Sequence, residues 1–144
     1  MKNVKAENVF SGSHGELWID GDYMAEVESF EAKISFTKAD VNMVKKMFKQ
    51  YKITGYEGSG KLTLNKVSSY MLKKLADDVK EGKQTVCTVI SKINDPDAIG
   101  AERIAIKDVT FNSLQLANWK ANELGTEEIE FNFTDFDILD SAGE

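Results

Sequence analysis

The stretch "GYEGSGKLTL" (residues 55–64) can be read in two ways, and the two give different folds. Gly55, Gly60 and Lys61 have the spacing of a phosphate-binding loop, G-x-x-x-x-G-K-[ST]. Such a loop needs a Ser or Thr hydroxyl for Mg²⁺ directly after the lysine, and then a helix N-terminus to face the phosphates. Here Leu62 holds the hydroxyl position and Thr63 comes one residue late. Lys61-Leu62-Thr63-Leu64-Asn65 alternates polar and apolar residues, which is strand period and not helix period. The stretch therefore reads as strand, and Gly55, Gly58 and Gly60 read as hinge glycines between two extended segments.

Working outward, 144 residues with a 42% apolar share are enough for one domain with a real core. One Pro and ten Gly argue against disorder, and no run of eighteen apolar residues is present to span a membrane. Residues 1–8 hold no apolar stretch of the signal-peptide kind. The lone Cys87 cannot form an intrachain disulfide, which suits synthesis in a reducing cytoplasm. A net charge of −6 argues against a protein that grips nucleic acid by neutralising phosphates, but permits one past which nucleic acid slides.

Residues 1–14 read as an irregular arm. "GELWIDGDYMAEV" reads as a hairpin around Asp20-Gly21-Asp22, with its second strand running on through Phe36. The apolar parity switches between Val27 and Phe30, which places a bulge near Glu28-Ser29. Val67, Met71, Leu75 and Val79 recur every four residues and predict a helix over 68–81 with that stripe on a sheet. Ser68 or Ser69 can cap its start, and Gly82 fits just past its end. "QTVCTVISKI", "RIAIKDVTF", "SLQLANW" and "EEIEFNFTDFDIL" read as further strands, with parity switches before Val109 and before Phe136. About seven strands, one helix and repeated bulges predict a mainly β, α+β fold. Its expected form is two packed antiparallel sheets, sandwich- or barrel-like, with a flanking helix.

The chemistry-bearing residues point away from catalysis, and we expect no enzyme, cofactor or metal. His14, the only histidine, lies in a glycine-serine turn and reads as an exposed loop residue. Cys87 sits in an apolar strand, where a buried thiol is expected and not a nucleophile. Asp95, Asp97 and Gly100 fit three positions of a calcium loop, but Ile99 and Lys107 occupy positions that need oxygen ligands. The alternating carboxylates from Glu127 to Asp137 read as the wet face of a half-buried strand.

The unusual segment is 38–55. Lys38, Lys45, Lys46, Lys49 and Lys52 stand there against Asp40 alone, a local +4 that leaves −10 on the rest of the chain. Val41, Val44, Met47, Phe48 and Tyr51 have helical spacing, yet Val41, Val44, Tyr51, Ile53 and Thr54 are strand formers, so the local conformation stays open. Apolar residues in a projection must bury on their own domain or on a neighbour. A basic projection on an acidic body favours a second copy of that body, in a heterologous contact that closes into rings or runs on as filaments. The interface candidates are Val41, Val44, Lys45, Lys46, Met47, Phe48, Lys49 and Tyr51.

In the order of "AENVFSGSHGELWIDGDYMAEVESFEAKI", "KITGYEGSGKLTLNKVSS", "GAERIAIKDVTFNS" and "EEIEFNFTDFDIL", the chain resembles the tail tube proteins of contractile phage tails. The similarity is to the form found in PBSX-like prophages and phage-tail-like bacteriocins, and it runs nearly the full length. It implies a single domain over 1–144, two packed antiparallel sheets with a flanking helix, and a loop or hairpin at 38–55 that reaches neighbouring subunits. It further implies hexameric rings stacked into a tube, with sheath and baseplate proteins as partners and passive passage of DNA. The family supplies no catalytic residues. The helical spacing of 41–51 departs from a clean hairpin pattern. A type VI secretion tube and a monomeric β-sandwich binding module are the alternatives.

Overall fold

In the computed structural model, which describes residues 5–143, the stretch 55–64 lies wholly inside one strand, β4, Gln50–Asn65. It pairs antiparallel with β3, Val27–Val41, from Val27↔Leu64 to Val41↔Gln50. Residues 38–54 are thus a β-hairpin, and the helical spacing there has no helix behind it. Val41, Tyr51, Ile53 and Thr54 are restricted at χ1 or aromatic and suit the extended backbone, which settles the conformation.

The hinge reading of the glycines is corrected by the same ladder. Gly58 and Gly60 lie in the middle of a continuous strand, where the rings of Phe133 and Phe131 leave no room for a Cβ. Gly55 has that room and stands beside a register shift, where Thr54 is the extra residue opposite Thr37 and Lys38. Their role in the fold is close approach at two positions and a bulge at the third.

The other elements are β1 (Gly15–Ile19), β2 (Asp22–Tyr23), α1 (Tyr70–Glu81), β5 (Cys87–Ile93), β6 (Glu102–Phe111), β7 (Thr126–Phe133) and β8 (Asp135–Asp140). All pair antiparallel in the order β2-β1-β5-β6-β7-β4-β3, with β8 also on β6. The two expected sheets are joined into one hydrogen-bonded sheet of eight strands, seven along the path and β8 branching from β6, bent on itself like a sandwich and not closed into a barrel. The bend is in β6. Its first part pairs with β5 and β8, and Thr110-Phe111 pair with β7. Between them Asp108 takes a positive φ of 54°, and its Oδ2 accepts a hydrogen bond from Thr134 Oγ1 at 3.2 Å. Asp108 and Thr134 sit at the two parity switches seen in the sequence, so both chains turn the same corner together.

One core fills the bend. Phe131 is its centre, stacked on Phe30 at 5.8 Å and edge-on to Phe111 at 6.4 Å between ring centroids. Leu17, Ile19, Leu62, Val89 and Ile129 close around it. Leu62, the residue that replaces a Mg²⁺ hydroxyl, is a core residue.

Three further expectations change. β2 does not run on into β3: the chain leaves the sheet at Met24, which is buried and donates its N–H to the Leu17 carbonyl, and re-enters in the other half at Val27. The bulge near Ser29 is present as a register shift between Val27 and Ser29. "SLQLANW" forms no strand; residues 113–125 are turns and irregular chain that leave Leu116, Trp119 and Leu124 exposed. In α1 only Met71 and Leu75 are buried, while Val67 is 75% and Val79 61% exposed. The helix touches the sheet along less than its full stripe, held at its start by Tyr70 Oη donating to Asp22 at 2.8 Å and by Lys74 Nζ 2.8 Å from Asp20. Ser69 holds the N-cap position without a side-chain hydrogen bond, and Gly82 ends the helix at φ 71°.

Candidate assembly surfaces

The hairpin of β3 and β4 outruns the sheet. β7 pairs with β4 only from Gly58 to Asn65, so Gln50–Glu57 has β3 as its single partner. This arm carries every residue that the sequence marked as interface. Val41 ends β3 and Tyr51 lies near the start of β4, both exposed. Val44, Lys45, Lys46, Met47, Phe48 and Lys49 form the connecting loop. Met47 is 100% and Phe48 87% exposed, so neither has a home in its own copy. Lys45 takes a positive φ of 65° at the turn, and Lys49 Nζ lies 3.9 Å from Asp40.

At the base of the arm is a groove of about 690 Å³. One wall is Ile34, Phe36 and Tyr56 on the arm, and the other is Phe133, Thr134, Asp135 and Phe136 at the β7–β8 corner. Phe36 and Tyr56 meet edge-to-face at 5.5 Å. This face continues the apolar side of the core sheet past the last residue that covers it. Asp135 adds a carboxylate to the lining. Sequence reading missed this groove, although the alternation Ile34, Phe36 and Tyr56, Gly58 on paired strands carries its arm-side wall.

The opposite face of β3, β4 and β7 is polar. Glu31, Lys61 and Glu130 share a register, as do Lys33, Ser59 and Asn132. Lys61 Nζ lies 2.7 Å from Glu128 Oε1, and that bond raises the lysine pKa. The lysine of the phosphate-loop spacing is therefore one half of a surface ion pair. Between β6 and β8, Lys107 bonds Asp137 and Arg103 Nε lies 3.2 Å from Asp140.

The residues weighed for chemistry lie apart from both surfaces. Cys87 is buried in the core, which pushes its thiol up to about 11. Asp95 is spent on backbone: Oδ1 accepts from Asp97 N–H at 2.9 Å and Oδ2 from Ser11 N–H at 3.0 Å. The two bonds hold its pKa below the usual value, that to Asp97 most. His14 Nε2 is 3.9 Å from the same carboxylate, with its side chain partly exposed. Asp95 thus clamps the described part of the N-terminal arm; residues 1–4 of that arm lie outside the described residues. No helix among the described residues is long and apolar enough to cross a membrane.

Residues 2–140 match the family model described as "Phage tail tube protein". The chain is 35% identical over 143 residues to the phage-like element PBSX protein XkdM of Bacillus subtilis strain 168, covering 98% of this chain and 97% of that protein. Among solved structures, it resembles a chain of the anti-feeding prophage cap, the tube terminating cap. There the TM-score is 0.73 at 8% identity, over 97% of each chain. It also resembles a chain of the sheath-tube complex of the extracellular contractile injection system PVC in the extended state. That likeness has a TM-score of 0.70 at 10% identity, over 96% of this chain and 95% of that one. At such identities the structural likeness is one of fold.

Proposed function

The chain belongs to the phage tail tube family, and on that premise we propose that six copies close into a ring and that rings stack into the inner tube of a contractile tail. The tail is that of a phage or of a phage-tail-like bacteriocin, and the tube is a conduit for DNA or ions. The observation that carries this reading is the arm. A two-stranded ladder holds Met47 and Phe48, wholly or almost wholly exposed, clear of their own domain among lysines. A tip that docks on a different surface of a second copy makes a heterologous contact, the geometry of rings and open stacks.

The polar face of β3, β4 and β7 suits a lumen. Glu31, Glu57, Glu128 and Glu130 outnumber Lys33 and Lys61 on its paired strands, and Lys61 is already taken by Glu128. An acidic wall repels phosphate, so nucleic acid passes without being held. The subunit is structural and does no catalysis. Sheath and baseplate proteins of the same particle are its other partners, and it is made in the bacterial cytoplasm before assembly.

Electron microscopy and sedimentation of the concentrated protein test the reading. We expect rings with six-fold averages and stacked tubes. A species that stays monomeric at every concentration supports instead the isolated binding module.

A further inference from the structure

We propose that the groove at the base of the arm is the socket for the arm tip of a second copy, with Met47 and Phe48 seated between Tyr56 and Phe136. This deepens the assembly reading above and rests on it, since it names where the arm docks.

The two surfaces are complementary in two respects. The groove is a wide apolar cleft whose walls hold Phe36 and Tyr56, more than half exposed, and Phe136, 43% exposed. The tip presents two large apolar side chains with no contact of their own, the anchors that such a cleft takes. The cleft is lined by Asp135, with Asp108 at the Thr134 corner, and the neighbouring Lys107 is engaged by Asp137. The tip is flanked by Lys45, Lys46, Lys49 and Lys52, of which only Lys49 has an acidic neighbour within ion-pair distance among the described residues.

The ladder decides that tip and socket belong to different copies. β3 and β4 stay paired out to Val41↔Gln50. At about 3.4 Å per residue, that carries Phe48 roughly 25 Å beyond Gly58, which borders the groove. The tip cannot return to its own base without unzipping the strands that form the groove wall. One copy therefore gives its tip and offers its socket to another, and the contact propagates.

Cysteine pairing tests the socket. We take Phe48→Cys as the tip variant and Phe136→Cys as the socket variant, with Tyr56→Cys on the opposite wall as a second socket variant should Phe136→Cys disturb the corner. The buried Cys87 stays in place in all of them. Under mild oxidation, each variant alone should stay unlinked, and a mixture of tip and socket variants should give a disulfide-linked dimer. A chain carrying both cysteines should give a ladder of linked oligomers. Phe48→Cys linking to itself would mean that tips meet tips. Tubes that form in the microscope without any tip-to-socket link would remove the socket and leave the assembly reading standing. A parent protein that never assembles would remove both.

Discussion

A Cβ placed on Gly60 would lie 2.2 Å from Cζ of Phe131 on the neighbouring strand. Phe131 is the most central ring of the core, so the glycine is the space into which that ring fits. Gly60→Ala must push Phe131 or the β3 backbone aside and should cost about 1–3 kcal/mol, the range for overpacking. Gly55→Ala meets only Thr37 at ordinary contact distance and should change stability by less than about 0.5 kcal/mol. Urea midpoints of the two variants check the contrast, and equal losses would refute it.

The helix gives a second contrast. Leu75 is buried on the sheet and Val79, one turn on, is 61% exposed. Leu75→Ala should cost roughly 2–5 kcal/mol. Val79→Ala should fall within about 0.5 kcal/mol of the parent. Thermal unfolding separates them, and a large loss at Val79 would mean that it has a partner surface.

These two sites mark how far the sequence reaches. Alternation across Lys61–Asn65 excludes a helix and thereby places Leu62 in a core, because period alone decides which face a residue takes. Period does not say how much of a face is covered, so Val67 and Val79 look like Leu75 until the neighbours are in place. In the arm, Met47 and Phe48 follow a helical count only because a loop of suitable length happens to separate Val41 from Tyr51. The strand-forming residues on both sides pair with each other, a non-local preference that spacing along one segment cannot express. The groove is still less legible. Tyr56 and Phe136 come to line its two walls through a sheet order, β6 beside β8 and β7 beside β4, that no local pattern encodes.

The Asp95 clamp carries a pH dependence. Its carboxyl pKa is lowered by backbone N–H bonds from Asp97 and Ser11. A depressed carboxylate contributes stability above its unfolded value, near 3.8, and loses it as pH falls through the folded value. Residues 5–14 should therefore resist protease at neutral pH and be released as pH falls through the lowered carboxyl value, itself under 3.8. Asp95→Ala should release them at neutral pH. Hydrogen exchange of Ser11 reads the change directly, and protection that persists in the variant would contradict the clamp.

Lys61 offers a check on chemistry. It is paired with Glu128 on an exposed face, with strand on both sides. Calorimetry with Mg-ATP should give no saturable heat, and Lys61→Ala should leave the thermal midpoint close to the parent's. Saturable binding that the variant abolishes would revive the phosphate loop.

The central claim is that the arm builds the tube. Replacing Met47 and Phe48 together with Ser leaves every core contact intact, because both side chains stand clear of their own domain. Surface lysines contribute only about 0–1 kcal/mol per pair, so these apolar anchors must carry most of the affinity. The deciding measurement is sedimentation and negative-stain microscopy of the double variant beside the parent, with circular dichroism on both. The account predicts a folded monomer with the parent's spectrum and no rings or tubes at concentrations where the parent assembles. Tubes indistinguishable from the parent's, or an unfolded subunit, would contradict it.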